Sequence, residues 1–570
     1  MTTQPARRSL PFGLLAAVLA GAVLTVAAGG YLAETHPHFV ARVEHKLRTL
    51  FAASEAAPLP APGDVQLLID DGAAGTPISP YIYGVAFADT AVLEELGATV
   101  DRWGGNTSSQ YNWVAGDAWA AGRDWEFRNT STDFSSADQF VSHAGAGAAS
   151  PLLTVPTIGY VARNGDNQVQ SVAVPPQGGP AINSRGAIAG YDPSHNRSVT
   201  SIPSFATKGS AFADPPNAGA DAVYQDEWIH HLVDRFGPNG VRFFTMDNEP
   251  DLWSYNHTDI HPARMSYQSM LDMFELYSLA VKNADPGALV LGPDVSGWTS
   301  YFYSDLDRGN DNYATHADHT AHGNQDFLPW WLAQVASQDR THGSRSLDML
   351  DVHYYPQGDN IYSDSADPAT QALRIRSTRS LWDPTYTDES WIGKPVMLIP
   401  RLKSWIKQSY PGTGLAITEY NWGGEHDASG AVALALALGT FGREGVDLAT
   451  YWTYPPPNSP AGAAFRLFRN YDGNGGHFGD IELPVTSTSS GVAVFAARHS
   501  DTRTVDVMVI NESAAGPASV QLKLSSGAAR VADEFEVVAG TRTIAHSTVN
   551  IGGGITVPAM SMAMLRIPAA

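Results

Sequence analysis

An α/β fold, a (β/α)8 barrel of the TIM type followed by a C-terminal β-sandwich, is what this sequence predicts. Three observations predict it. Eight short β-rich runs alternate with helical ones between Tyr81 and Trp452, the signature of repeated βα units around a parallel sheet. Beyond about Pro455 the rhythm changes to alternating strands separated by Gly, Ser and Asn turns. The chain, at 570 residues, is long enough for a barrel and a smaller companion unit.

At the N-terminus, Arg7 and Arg8 precede an uncharged apolar run from Leu10 to Ala33. This reads as an export signal. Val26, Ala27 and Ala28 offer the small residues of a cleavage site, while the run is also long enough to span a bilayer uncleaved. The expected division is therefore a signal peptide or membrane anchor over 1–33 and a helical and Pro/Ala linker over 34–64. An N-terminal strand over 65–77 joins the C-terminal sheet, the catalytic barrel spans 78–480, and the sandwich 481–570.

The candidate barrel strands are Tyr81 to Phe87, Val100 to Trp103, Leu152 to Pro156, Val241 to Met246, Ala288 to Pro293, Leu350 to Tyr355, Leu415 to Tyr420 and Leu448 to Trp452. Helical periodicity is clearest over Tyr224 to Phe236, Tyr267 to Asn283, Leu328 to Ser337 and Ala431 to Phe441. Sandwich strands are expected at Val492 to Ala496, Val505 to Ile510, Val520 to Leu524 and Met560 to Ile567. A long Gly/Pro/Ser/Asn-rich insertion, Gly159 to Asp221, follows the third strand at the barrel mouth.

Composition narrows the function. Hydrophobic residues make up 43% and charged residues 16%, a globular balance. With 35 basic and 58 acidic residues, the net charge of −23 repels phosphate-rich partners and speaks against nucleic acid. A neutral polymer meets no such repulsion. The absence of cysteine removes disulfides, thiolate zinc sites and cysteine nucleophiles. The chain reads as a monomer.

The strongest local signal is Thr245 to Trp253 (TMDNEPDLW), which puts Asn248, Glu249 and Pro250 where the fourth strand ends. A carboxylate there points into the mouth of a barrel. Ala416 to Trp422 (AITEYNW) puts Glu419 at the end of the seventh strand, across the mouth from the fourth. Cleaving a glycosidic bond with retention needs that pair, with carboxyls about 5 Å apart, one attacking the anomeric carbon and the other shuttling the proton. For either glutamate alone, a structural carboxylate paired with an arginine competes; for both together on these strands it does not.

Other strand ends supply candidates for substrate positioning. Arg102 either holds Glu419 ionised or ties strands together. Asn106, Tyr111 and Trp113 follow on the same loop, and Asn248 suits a hydrogen bond to a sugar 2-OH. His353, Tyr354 and Tyr355 end the sixth strand, where one tyrosine hydroxyl could bond the nucleophile. Trp253, Trp298, Trp422, Trp452 and Tyr454 are candidates for stacking on sugar rings, against the alternative of core packing. Asp305, Asp307 and Asp311 read as a solvated acidic loop that matches no complete calcium-binding loop. His316, His319 and His322 read as a solvated polar segment, and metal ligands are not assigned. Nucleotide cofactors are not implied, because no Gly-rich phosphate cradle follows a strand.

Together these residues resemble glycoside hydrolase family 44, bacterial endoglucanases and xyloglucanases. The resemblance runs from about Ile78 to Ile567. It rests on Ile82 to Val85 (IYGV), Arg102 to Thr107 (RWGGNT), Tyr111 to Trp113 (YNW), Met246 to Trp253 (MDNEPDLW) with His257 to Pro262 (HTDIHP), Asp351 to Pro356 (DVHYYP) and Ile417 to Trp422 (ITEYNW). It implies a barrel with a β-sandwich and a retaining mechanism, with Glu249 as acid/base and Glu419 as nucleophile. The implied reaction is internal cleavage of β-1,4-glucans including xyloglucan, with no required cofactor and a structural Ca2+ as a family feature. The N-terminal segment and the loops around Asp305 and Gln357 to Ser390 depart from the family pattern, which bears on substrate preference. Two alternatives stand beside it: a retaining glycosidase on another β-glycan such as xylan or mannan, and a non-catalytic glycan-binding surface protein.

Overall fold

Eight parallel strands close into a barrel. A computed structural model describes residues 62, 64–120, 128–131, 136–163, 201–257, 260–309, 311–527 and 531–568. The expected export segment, most of the linker and much of the insertion after the third strand lie outside the described residues. Among the described residues no helix is long and apolar enough to cross a membrane.

The barrel strands are β1 (Gly84–Ala86), β2 (Val100–Trp103), β3 (Ser150–Val155), β4 (Phe243–Met246), β5 (Leu289–Val295), β6 (Met349–Tyr354), β7 (Gly414–Tyr420) and β8 (Leu448–Tyr451), hydrogen-bonded in sequence order and closed by β8 against β1. Each is followed by a helix: α1 (Thr90–Leu96), α2 (Ala137–Ala146), α3 (Gln225–Phe236), α4 (Tyr267–Ala284), α5 (Phe327–His342), α6 (Leu398–Ser409), α7 (Ala428–Glu444) and α8 (Pro460–Arg469). Strand residues are buried on both faces, as a parallel sheet wrapped by helices requires. Inside, Val100, Leu152, Phe243, Leu291, Ala416 and Leu448 fill the barrel axis.

Two expectations are corrected. The first strand is only three residues long, because Pro80–Ile82 forms a 3-10 turn opened by Pro80, with the Tyr81 N–H donating to Ser79 Oγ at 3.2 Å. And the strand rhythm does not begin at Pro455. The eighth barrel helix intervenes, with the Gly462 N–H donating to Ser459 Oγ and Pro460 in its first turn. Its polar side is carried by Arg466 and Arg469 alone, while the rest of the short Ala/Gly-rich segment is buried.

The sandwich pairs a four-stranded sheet with a seven-stranded one. Asp64–Ile69 lies inside the smaller sheet, parallel to Ala518–Leu524 and antiparallel to Val485–Ser487, with alternate residues Val65, Leu67 and Ile69 buried. The larger sheet is sandwiched on both sides. Along Val505–Asn511, Val505, Val507 and Val509 face the smaller sheet while Met508 and Ile510 join the cluster that also holds the barrel helices. That is why this strand reads as one apolar run with little alternation. The contact surface is continuous with the barrel core, and includes Tyr471 against Phe535 with ring centroids 4.4 Å apart.

Candidate active site

The C-terminal ends of β2, β4, β5, β6 and β7 converge on one buried group of charges. Arg102 on β2 is fully buried. Its Nη1 donates to Glu419 Oε1 at 2.7 Å, and its Nη2 to Asn248 Oδ1 at 3.0 Å and Asp294 Oδ2 at 3.2 Å. One planar fork thus joins β2, β4, β5 and β7. Arg102 fills both roles offered by the sequence: it ties strands together and it pairs with Glu419. The Tyr355 hydroxyl donates to the other oxygen, Glu419 Oε2, at 2.8 Å, while the ring of Tyr354 turns away to pack on Trp422.

Glu249 sits one step past β4 in a left-handed conformation with φ 47°, two residues after Asp247 with φ 68°. A backbone bent this way is costly for residues other than glycine and needs support from its surroundings. Support is present. Asp247 accepts from Ser109 Oγ, from the Thr157 N–H and hydroxyl, and from the Asn248 N–H, while the Glu249 N–H donates to Asp294 O at 3.0 Å. The result aims the Glu249 carboxyl at Glu419: carboxylate oxygens of the two glutamates and a ring nitrogen of His353 all lie within 4.8 Å of one another.

His353, fully buried at the end of β6, bridges carboxylates. Its Nδ1 lies 3.0 Å from Glu249 Oε1 and its Nε2 2.5 Å from Asp294 Oδ1. With an acceptor on each ring nitrogen, the imidazole is held as the cation. Burial alone would push it the other way, but Asp294 and then Glu419 outweigh it and raise its pKa well above the usual range. Burial also raises Asp294, yet His353 and Arg102 bring it below the usual carboxylate range. Two cations therefore serve four carboxylates, and the other two are pushed towards neutrality. Burial, with Glu419 adding to it, raises Glu249 to about 7; burial and then Asp294 raise Asp351 to about 7.

Asn248 is oriented by its donors. Its Oδ1 accepts from Arg102 and from the Gly105 N–H at 3.0 Å, which leaves the Nδ2 amide for another acceptor. Gly105 has φ +78°, and a Cβ there would come within 2.6 Å of the Trp452 ring, so this turn requires glycine. Trp452 is half-buried and lies 5.7 Å from the Arg102 guanidinium, at the border of the carboxylate group. Asn106, also half-buried, has its Oδ1 taken by Asn256 Nδ2 at 2.9 Å.

The remaining aromatic candidates are corrected by burial. Trp253 and Trp422 are each 2% exposed and have no face left for a sugar. Trp253 packs on His261, while Trp422 donates from Nε1 to Ser377 Oγ at 3.1 Å. Trp298 is nearly buried too, between Lys394, Arg401 and Phe302. Tyr111 and Trp113 turn into the core, where the Tyr111 hydroxyl accepts from the Ala137 N–H. The acidic segment is likewise not solvated. Asp305 and Asp307 are buried; Asp305 is bound by Arg264 and Arg308, and Asp307 by the Asp318 and His319 N–H groups. Their carboxylates thus take partners from within the protein. His316 stacks on Tyr303 with centroids 4.1 Å apart, and His322 packs between Tyr267 and Trp330.

Asp294 was not singled out in the sequence, although a signal existed: an acidic residue closes the apolar run LVLGPDV at a strand end. Asp351, also missed, accepts from Thr245 and Thr418 beneath the site.

A closed (β/α)8 barrel whose strand ends hold two facing glutamates, one paired with arginine and tyrosine and the other held near neutrality, defines a glycoside hydrolase. Known proteins agree. The sequence model of glycoside hydrolase family 44 matches residues 118–358. Endoglucanase A of Paenibacillus lautus is 32% identical over 500 residues, covering 82% of this chain and 66% of its own length, so the chain spans just under two thirds of that relative. Among solved structures, CelM2, a bifunctional glucanase-xylanase from a metagenome library, is 37% identical with a TM-score of 0.79, over 89% of this chain and all of its own. A Paenibacillus polymyxa xyloglucanase from family 44, solved with xyloglucan, is 28% identical with a TM-score of 0.77 over the same shares. The chain belongs to glycoside hydrolase family 44.

Proposed function

We propose that this protein is a retaining endo-β-1,4-glucanase and xyloglucanase in which Glu419 is the nucleophile and Glu249 the acid/base. The single observation that carries this reading is the placement of the two carboxylates: oxygens within 4.8 Å of each other, the spacing of a retaining pair and too close for the water of an inverting one. Glu419, pinned by Arg102 and Tyr355, attacks the anomeric carbon. Glu249, protonated, donates to the departing glycosidic oxygen, so that a covalent glycosyl-enzyme forms. Its carboxylate then takes a proton from the water that releases the sugar. Asn248, with its amide nitrogen uncommitted, is suited to the sugar 2-OH. The names of the P. polymyxa and P. lautus relatives support xyloglucan and glucan as substrates. The name of CelM2 favours a second activity on xylan.

A reducing-sugar assay across carboxymethylcellulose, mixed-linkage glucan, xyloglucan, xylan and glucomannan tests the substrate class, with NMR of the first-formed anomer testing the stereochemistry. A β-anomer from glucan or xyloglucan is expected; an α-anomer, or no release from any of the five, sinks the reading. Export across a membrane belongs to the same proposal, supported by Arg7, Arg8 and the uncharged run Leu10 to Ala33. N-terminal sequencing of the fractionated protein tests it, and a full-length cytoplasmic product would refute it.

The pH profile follows from Glu249. Its carboxyl must be protonated in the free enzyme to act as an acid, and it is raised to about 7. Above that pH the protonated fraction falls, so kcat/KM on xyloglucan is expected to decline about tenfold per pH unit. A flat profile from pH 6 to 9 would remove Glu249 from this role.

A further inference from the structure

Among the described residues near this site, Tyr362 combines exposure and rigidity in a way that packing does not account for. It is 47% exposed, among the few large hydrophobic side chains left in solvent. It is nevertheless held from every backbone direction. Ile361, beside it, is fully buried, and the fully buried Arg374 donates from Nε to Ile361 O at 2.9 Å and from Nη2 to Ser363 O at 2.5 Å, clamping the carbonyls on both sides of Tyr362. Arg374 is itself fixed by Ser429 and Asp427. Behind the tyrosine, Gly423 has φ +66°, and a Cβ there would come within 2.3 Å of the Tyr362 Cα, so the loop after β7 presses directly on this backbone. The Tyr362 hydroxyl donates to Pro356 O at 2.5 Å, which fixes the ring as well.

A buried arginine spent on ordering an exposed ring is a poor use of burial for stability, because Tyr362 gains little from being held. It suits a binding surface, where a ring fixed in advance loses no rotamer freedom when a ligand arrives. The location matches. Tyr362 stands edge-on to Tyr355, with ring centroids 6.2 Å apart at 64°, and Tyr355 is the residue whose hydroxyl bonds Glu419. The exposed ring therefore lies one aromatic side chain out from the nucleophile, on the loop that closes β6.

We propose that Tyr362 is a stacking platform for a sugar unit further along the bound chain than the two a cellobioside fills, and so a specificity-determining residue for longer β-glycan chains. Its ligand is a pyranose that turns a face of C–H bonds to the ring, as the units of a β-1,4-glucan do. This rests on the glycosidase reading, and the test separates the two. Tyr362→Ala, Tyr362→Leu, Tyr362→Phe and Tyr362→Trp are compared with the wild type on dinitrophenyl β-cellobioside, which reaches only the units beside the cleaved bond, and on cellohexaose. For Ala and Leu, kcat/KM on cellohexaose is expected to fall about 10-fold with the cellobioside nearly unchanged, while Phe and Trp stay within about 2-fold of the wild type on both. Thermal midpoints of all four should stay within a few degrees of the wild type, because about half of the replaced side chain already lies in solvent. Equal losses on both substrates, no loss on either, or Leu performing as well as Phe overturns the proposal. A wild type inactive on every substrate refutes the glycosidase reading instead. Titration of cellohexaose against the wild type and Tyr362→Ala then still decides the platform, by a weaker Kd in the variant or by none.

Discussion

Glu419→Ala is expected to lose hydrolysis of polymeric glucan by on the order of 10⁴-fold or more, and no improvement of the leaving group should restore it. The reason lies in the sequence of bonds. Without this carboxylate nothing on the enzyme can bond the anomeric carbon, so even a dinitrophenyl group, which needs no proton to depart, leaves no covalent intermediate behind. The cavity left by the side chain lies on the open face of the sugar, beside Arg102 and Tyr355, whose donors lose their acceptor. An azide ion fits that polar space and can attack from there, so the rescued product is the α-configured glycosyl azide. A β-configured product from this variant would mean that the roles of the two glutamates are reversed. Wild-type turnover on glucan would place the nucleophile elsewhere.

Glu249→Ala should fail differently. General acid catalysis contributes about 10²–10⁴-fold, and only where the leaving oxygen needs a proton. The variant is expected to lose that factor on xyloglucan but to keep rapid glycosylation on a dinitrophenyl cello-oligosaccharide. Release of the sugar still needs a base to activate water, so the glycosyl-enzyme should accumulate and be visible as a mass increase on the intact protein. Azide needs no base, and it displaces Glu419 from the face where the leaving group had been, giving the β-configured azide. The decline in kcat/KM above pH 7 should vanish on the activated substrate, because the group that titrates has gone. An α-azide, or a variant slowed equally on both leaving groups, would contradict the assignment.

The difference between the two glutamates was only half legible in the sequence. Both positions follow from counting strands and finding a carboxylate after TMDN and within AITEY, since residues just past a parallel strand face the barrel mouth. Which one stays protonated does not follow from local residues. Glu249 is raised because it is buried and close to Glu419, while Glu419 takes the Arg102 fork from a strand more than three hundred residues earlier in the chain.

The sequence by itself determined the strand count, the two-unit architecture, the family, and the facing placement of Glu249 and Glu419. Each depends on period, spacing or a short motif, which neighbouring residues set. The tertiary structure decided what burial and long-range charge control. Trp253 and Trp422 follow strand ends in a way that suggests stacking, but both are buried, whereas Tyr362, in a stretch that the sequence marked only as a departure from the family pattern, is about half exposed. Asp305 and Asp307 look solvated until Arg264, Arg308 and two backbone amides fold onto them. His353 is driven towards the cation chiefly by Asp294 and Glu419, which arrive from two other strands, with Glu249 at its second ring nitrogen. Periodicity reports which face of an element is apolar; it does not report which polar groups the closed barrel brings within hydrogen-bonding distance, and those distances set the charges of this site.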